Sequence, residues 1–163
     1  MNITNYKAIG LIHTPFTEPK GTPIQPTAGQ GIEGSIEIFP EYAEGLKDIA
    51  EFSHVFLIYH MHLAKPSLIV KPFLDDAVHG IFATRSPGRP NTIGLSVVRL
   101  NSVEGNILRI QDLDIVDNTP LLDIKPFVPE FDIRTPEKVG WYKNKVERFT
   151  VVRDDGRFIV RSN

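Results

Sequence analysis

The apolar residues of this chain come in short runs of five to nine residues, most of them closed by proline, glycine or asparagine. A chain interrupted this often does not build long helices, and its runs read as β-strands. Residues 6–14 (YKAIGLIHT) form a first strand, stopped by Pro15. Residues 35–39 (SIEIF) alternate apolar with polar, as a half-buried strand does. Residues 54–62 (HVFLIYHMH), rich in β-branched and aromatic side chains, read as a central strand. Residues 79–84 and 92–100 give two more, and residues 107–115 follow a turn at Glu104-Gly105-Asn106. Two short helices are expected. One covers residues 40–52, opened by Pro40 and weakened by Gly45; the other covers residues 138–149. Residues 151–160 read as a hairpin around Asp154-Asp155-Gly156. Many short strands with few helices predict a mainly β chain, an antiparallel sheet or barrel. Between the first two strands, residues 19–34 are too rich in proline and glycine for regular structure, and long loops in small domains commonly carry function.

With 163 residues and 41% hydrophobic composition the chain can bury one core. It has no cysteine, which excludes disulfides, thiolate zinc sites and cysteine nucleophiles. No apolar run approaches a membrane span and the start does not resemble a signal peptide, so a cytoplasmic protein without a membrane partner is expected. Net charge is −2, yet residues 134–163 hold eight Lys/Arg against four Asp/Glu. A basic tail of this kind suits contact with phosphates or a solvated surface equally well.

Familiar nucleotide motifs are missing. The one GxGxxG, Gly29 to Gly34, leaves a loop and enters a strand, the reverse of a dinucleotide fingerprint, and there is no P-loop. Three stretches can carry chemistry. Residues 82–96 (FATRSPGRPNTIGLS) set Arg85 and Arg89 beside Ser86 and Asn91 on a loop stiffened by prolines, where guanidiniums can bind carboxylate or phosphate. Residues 112–126 (DLDIVDNTPLLDIKP) gather Asp112, Asp114, Asp117 and Asp123, which suit Mg²⁺, a general base or a cationic ligand, or serve simply as turn formers. Asp112 and Asp114 lie on one side of a strand; Asp117 and Asp123 sit on turns. His54, His60 and His62 share a strand face and could ligate a metal. The sequence sets no third ligand, so they read as core or pocket histidines and no metal is assigned.

Taken together, Ile9–Phe16, Gly34–Tyr42, Phe52–His54, His79–Pro87, Arg89–Asn91, Ile93–Ser96 and Asp117–Pro126 resemble the TsaA-like family of TrmO-type tRNA (adenine-N6)-methyltransferases. The resemblance implies a single-sheeted β-barrel with a long N-terminal loop, its core over residues 1–133 and a basic helix/hairpin extension over residues 134–163. It implies a homodimer with tRNA as partner and methylation of N6 of threonylcarbamoyladenosine beside the anticodon. Contacts to the cofactor S-adenosylmethionine would fall on Pro26, Thr27, Ala28, His62, Leu63, Arg85, Leu95, Gln111, Asp112, Leu113 and Asp114. On that basis Asp114, Asp117 or Asp123 is the expected base, and Arg89, Asn91 and Lys125 are expected to hold RNA phosphate or the substrate carboxylate. The sequence departs from the family pattern at Thr92, where proline is common, and at Asn118, where glycine is. Asn tolerates the left-handed region, so the second turn can survive. The alternative is a barrel that binds nucleotide or RNA without catalysis.

Overall fold

A computed structural model describes residues 3–160. Eight strands are present: β1 (Gly10–His13), β2 (Glu33–Ile38), β3 (His54–His60), β4 (Ile69–Val70), β5 (His79–Gly80), β6 (Ile93–Glu104), β7 (Ile107–Gln111) and β8 (Thr119–Pro126). Six close into an antiparallel barrel in the order β1-β2-β7-β6-β3-β8, with β8 returning to β1. The short β4 and β5 form a separate two-stranded ribbon. Closure leaves the barrel no free edge strand, and each of its six strands has a hydrogen-bonded neighbour on both sides.

Alternation decides what faces inward. On β3, Val55, Leu57 and Tyr59 are buried while Phe56 and Ile58 are half-buried and His60 is exposed. Ile12, Ile36, Ile38, Val98, Leu100, Leu108, Ile110 and Leu121 complete the interior with Leu113 and Ile115. The two-residue turn between β6 and β7 runs through Gly105 at φ 63°, a conformation that costs glycine nothing.

The helices differ from expectation. Residues 40–52 form two 3₁₀ turns, Pro40–Leu46 and Ile49–Glu51, separated by Asp48 at φ 66°. Gly45 and the left-handed Asp48 prevent a continuous ladder. Residues 138–149 likewise hold only 3₁₀ turns, at Gly140–Tyr142 and Val146–Thr150. Residues 151–160 are not a hairpin: Arg153 bridges Pro23 and Ile159 bridges Ala64. The tail thus pairs with distant loops rather than with itself. Residues 79–84 are a two-residue strand followed by a 3₁₀ turn, Ile81–Ala83. Asp123, expected on a turn, lies inside β8, and Asp112 and Asp114 lie beyond the end of β7 rather than along it. Asp112 ends that strand at φ 71°. No helix among the described residues is long and apolar enough to cross a membrane.

Candidate functional site

β3, β6, β7 and β8 bring the C-terminal ends of two strands and the N-terminal ends of the other two to the same end of the barrel. A pocket of about 960 Å³ opens there, a size ordinary for small-molecule sites. Its floor includes Tyr59, Gly94 and Asp114, and its rim includes Thr27, His62, Leu63, Arg85, Arg89 and Leu95. Leu63 and Leu95 are 38% and 49% exposed, so two large apolar side chains face solvent where a ligand would cover them.

The loops are fixed to one another by backbone. The turn Pro26–Gly29 lies against the segment after β7: a Cβ on Gly29 would stand 2.0 Å from the Leu113 carbonyl oxygen. Gly31 donates its backbone N–H to Asp112 Oδ1 at 2.8 Å, and the Asp112 N–H donates to the Ile32 carbonyl at 2.9 Å. Pro26, Thr27 and Ala28 are therefore joined to residues 111–114, although Pro26, Ala28, Gln111, Asp112 and Leu113 do not themselves line the pocket. Leu113 is buried in the core and Asp112 orders the loop.

Of the three candidate bases, only Asp114 reaches the pocket. Its side chain is half-buried. Burial pushes its carboxyl up to about 7, against a hydrogen bond from Ser96 and the nearby Arg85 guanidinium, which hold it down. Asp117 instead accepts the Thr14 N–H at 3.0 Å and a bond from the Asn118 side chain at 2.8 Å. Asp123 caps the Ile124 N–H and pairs with Lys125 at 2.8 Å. Asn118 adopts φ 59°, the left-handed turn its amide tolerates. Arg89 donates through Nη1 to the carbonyls of Thr84 and Ile81, so part of its guanidinium shapes the loop. Asn91 is exposed beside it, outside the pocket. The histidines are dispersed: His54 bonds to Ser53, His60 points outward, and His62 lines the pocket with its imidazole pushed down by burial. Among the described residues no three His, Asp or Glu side chains gather where a metal could be held.

Two groups of site residues escaped the sequence reading. Tyr59 and Ser96 are buried and bonded to each other at 3.0 Å. Strand alternation puts both on inward faces, but nothing in the sequence marks an inward hydroxyl as special. The tail forms the other omission. Trp141 stacks on His79 at 4.5 Å and on Tyr142 at 3.9 Å, and its indole N–H donates to the Ala83 carbonyl at 2.7 Å. The Tyr142 hydroxyl accepts the Arg85 backbone N–H at 3.1 Å. Lys145 and then His79 hold the Asp75 carboxyl well below the usual carboxylate range. Val139, Phe149 and Phe158 extend this wall of the pocket.

Residues 11–133 match the family described as the tRNA-methyltransferase O N-terminal domain. A probable S-adenosyl-L-methionine-binding protein of Pyrococcus abyssi is 59% identical over 154 residues, covering 94% of this chain and 84% of that protein. The human tRNA (adenine(37)-N6)-methyltransferase is 34% identical over 139 residues, 80% of this chain and 31% of that protein. The crystal structure of TrmO from Pseudomonas aeruginosa has a TM-score of 0.72 at 34% identity, covering 86% of this chain and 63% of that one. The chain thus spans under two thirds of the bacterial protein and about a third of the human one.

Proposed function

The chain belongs to the tRNA-methyltransferase O N-terminal-domain family, and from that premise we propose that its pocket binds S-adenosylmethionine and methylates N6 of an adenine in tRNA. The finer assignment is the adenine that carries a threonylcarbamoyl group beside the anticodon. The observation that carries the reading is the pocket itself: the Asp114 carboxylate, at its floor, faces a cavity rimmed by exposed leucines and a guanidinium.

These residues suit such a cofactor. Leu63 and Leu95 offer apolar surface to an adenine ring, and Thr27 and His62 offer polar edges. Arg85 suits the cofactor's carboxylate. Asp114 offers negative charge to a cationic sulfur. S-adenosylmethionine, when bound, supplies the methyl group: a nitrogen–carbon bond forms, a carbon–sulfur bond breaks, and its electron pair returns to sulfur. The protein's own work is alignment and proton removal. The rim loops hold the acceptor nitrogen in line, and alignment of this kind supplies most of the acceleration in a displacement. Asp114 takes the proton from that nitrogen; Asp117 and Asp123, bonded elsewhere, keep their turn and strand in shape. Asn91 and Lys125, outside the pocket, suit contacts to RNA phosphate together with Lys143, Arg148 and Arg153 of the tail, and Arg89 shapes the loop beside them.

The protein would act as a homodimer in the cytoplasm. Leu68, Ile69, Val78 and Phe82 stand exposed around the β4–β5 ribbon, an apolar surface that a second copy would cover. The deciding experiment is mass spectrometry of tRNA nucleosides after incubation with the protein and S-adenosylmethionine. Gain of one methyl on threonylcarbamoyladenosine supports the full reading. Gain on another adenosine retains the enzyme and changes its substrate. Cofactor binding with no methylated nucleoside would turn the reading toward a binding barrel.

A further inference from the structure

Tyr59, Ser96 and Asp114 form one continuous chain of oxygen atoms from the barrel interior to the pocket. The Tyr59 hydroxyl lies 3.0 Å from Ser96 Oγ, and Ser96 Oγ lies 2.7 Å from Asp114 Oδ1. Ser96 is 1% exposed, so water does not compete for either bond. Serine has a single hydroxyl proton, and an ionised carboxylate can only accept. Ser96 therefore donates to Asp114, and its oxygen accepts from Tyr59. Burial keeps the phenol protonated, since it pushes that group well above its usual range. The donors run in one direction, outward to the carboxylate.

The backbone is shaped for this chain. Tyr59 on β3 pairs with Gly94 on β6. A Cβ on Gly94 would stand 2.2 Å from the Tyr59 ring, so any other residue there would push the ring away. The missing side chain lets the ring lie across β6 and reach Ser96, two residues farther on the same inward face. An apolar residue at either polar position would fill the interior as well, and the aim of the chain at a pocket carboxylate needs a reason beyond packing.

Resting on the reading that Asp114 removes the proton during methyl transfer, we infer that Tyr59 and Ser96 are positioning residues, a hydroxyl chain that fixes Asp114 by one oxygen and keeps the other for the acceptor nitrogen. As the nitrogen gains its methyl, its proton passes to that second oxygen. Three groups face the carboxyl: the Tyr59 phenol from β3, the Ser96 hydroxyl from β6 and the Arg85 guanidinium from the loop before β6. All three favour or tolerate its ionised form, against the burial that opposes it.

The test is a titration of the full chain without cofactor, following the Asp114 carboxyl carbon by NMR, with the signal assigned by its loss in Asp114→Asn. The wild-type midpoint is expected near pH 7. Ser96→Ala removes the direct donor and should raise the midpoint by about one pH unit. Tyr59→Phe, acting through Ser96, should raise it by less. Gly94→Ala leaves every polar group in place and should move it the same way by displacing the ring. Ser96→Thr keeps a hydroxyl and should restore the wild-type value. In methyl transfer, the acid limb of kcat should follow the midpoint while KM for tRNA stays level. Coincident midpoints in wild type, Ser96→Ala and Tyr59→Phe would overturn the chain, and an unmoved acid limb would overturn its positioning role. A wild type that titrates as expected but methylates no tRNA would sink the functional reading and leave the hydroxyl chain standing.

Discussion

Asp114 is a costly residue for the fold. Its carboxyl holds its proton up to about pH 7 in the folded protein, against an ordinary value of 3.8. Between these pH values the folded chain binds a proton that the unfolded chain has released, so stability falls as pH rises through this window and is level above it. Asp114→Asn should therefore stabilise the protein by about 1–3 kcal/mol at pH 8 and by less at pH 5, read from urea midpoints at the two pH values. The same substitution should reduce methyl transfer by about a hundredfold or more, the usual scale for loss of a general base. Thr92 is a second strained position. It is buried, β-branched and held at φ 45° by bonds from its N–H to the Arg89 carbonyl and from the Met61 N–H to its own carbonyl. Thr92→Asn should gain ~0.5–1 kcal/mol, because Asn tolerates that region better. Thr92→Pro should lose more than that, since the ring forbids positive φ and removes the donor. Asn118 was legible as a left-handed turn from its residue type; the strain at Thr92 was not, because no residue preference points a threonine there.

At the scale of elements, the pocket depends on how closely the Pro26–Gly29 turn approaches Leu113. Gly29→Ala would force a methyl group into the Leu113 carbonyl, so it should weaken S-adenosylmethionine binding about tenfold or more while the barrel stays folded. Calorimetric titration and far-ultraviolet circular dichroism would read the two effects separately. Trp141 is the chain's one tryptophan and stands in the pocket wall, so its emission should change when cofactor binds wild type. The barrel strands were readable because a strand buried on one face alternates, as β2 and β6 do. β8 was missed because Pro120, Asp123 and Pro126 made residues 119–126 look like turns. Both prolines are tolerated because neither lies deep within a doubly bonded stretch of the strand. The tail misled for the opposite reason. Its local pattern suggested a helix and a hairpin, but Trp141, Tyr142 and Lys145 find better partners on the Arg85 loop and Asp75. Such long-range contacts override local preference and leave no trace in spacing.

For the whole molecule, the exposed ribbon surface predicts an assembly. Phe82, 76% exposed, is the most exposed of its four large apolar side chains. Phe82→Asp should convert a dimer to a monomer in light scattering with little change in barrel stability. A wild type that is already monomeric would show that this surface serves another purpose. The core predicts the complementary result: Leu57→Ala, inside the barrel, should cost about 2–5 kcal/mol. Arg153 bridges Pro23, and Ile159 bridges Ala64, so the earliest loop of the site is walled by residues made long after it. A nascent chain on the ribosome can close its six strands while one side of the pocket still stands open to water. Domains fold as translation proceeds, and contacts between distant segments come last. Ligand stabilisation is then available only once the segment through Ile159 has been made, because a ligand stabilises the state that binds it. Products that stop before that segment would lack the protection and meet the cell's proteases without it.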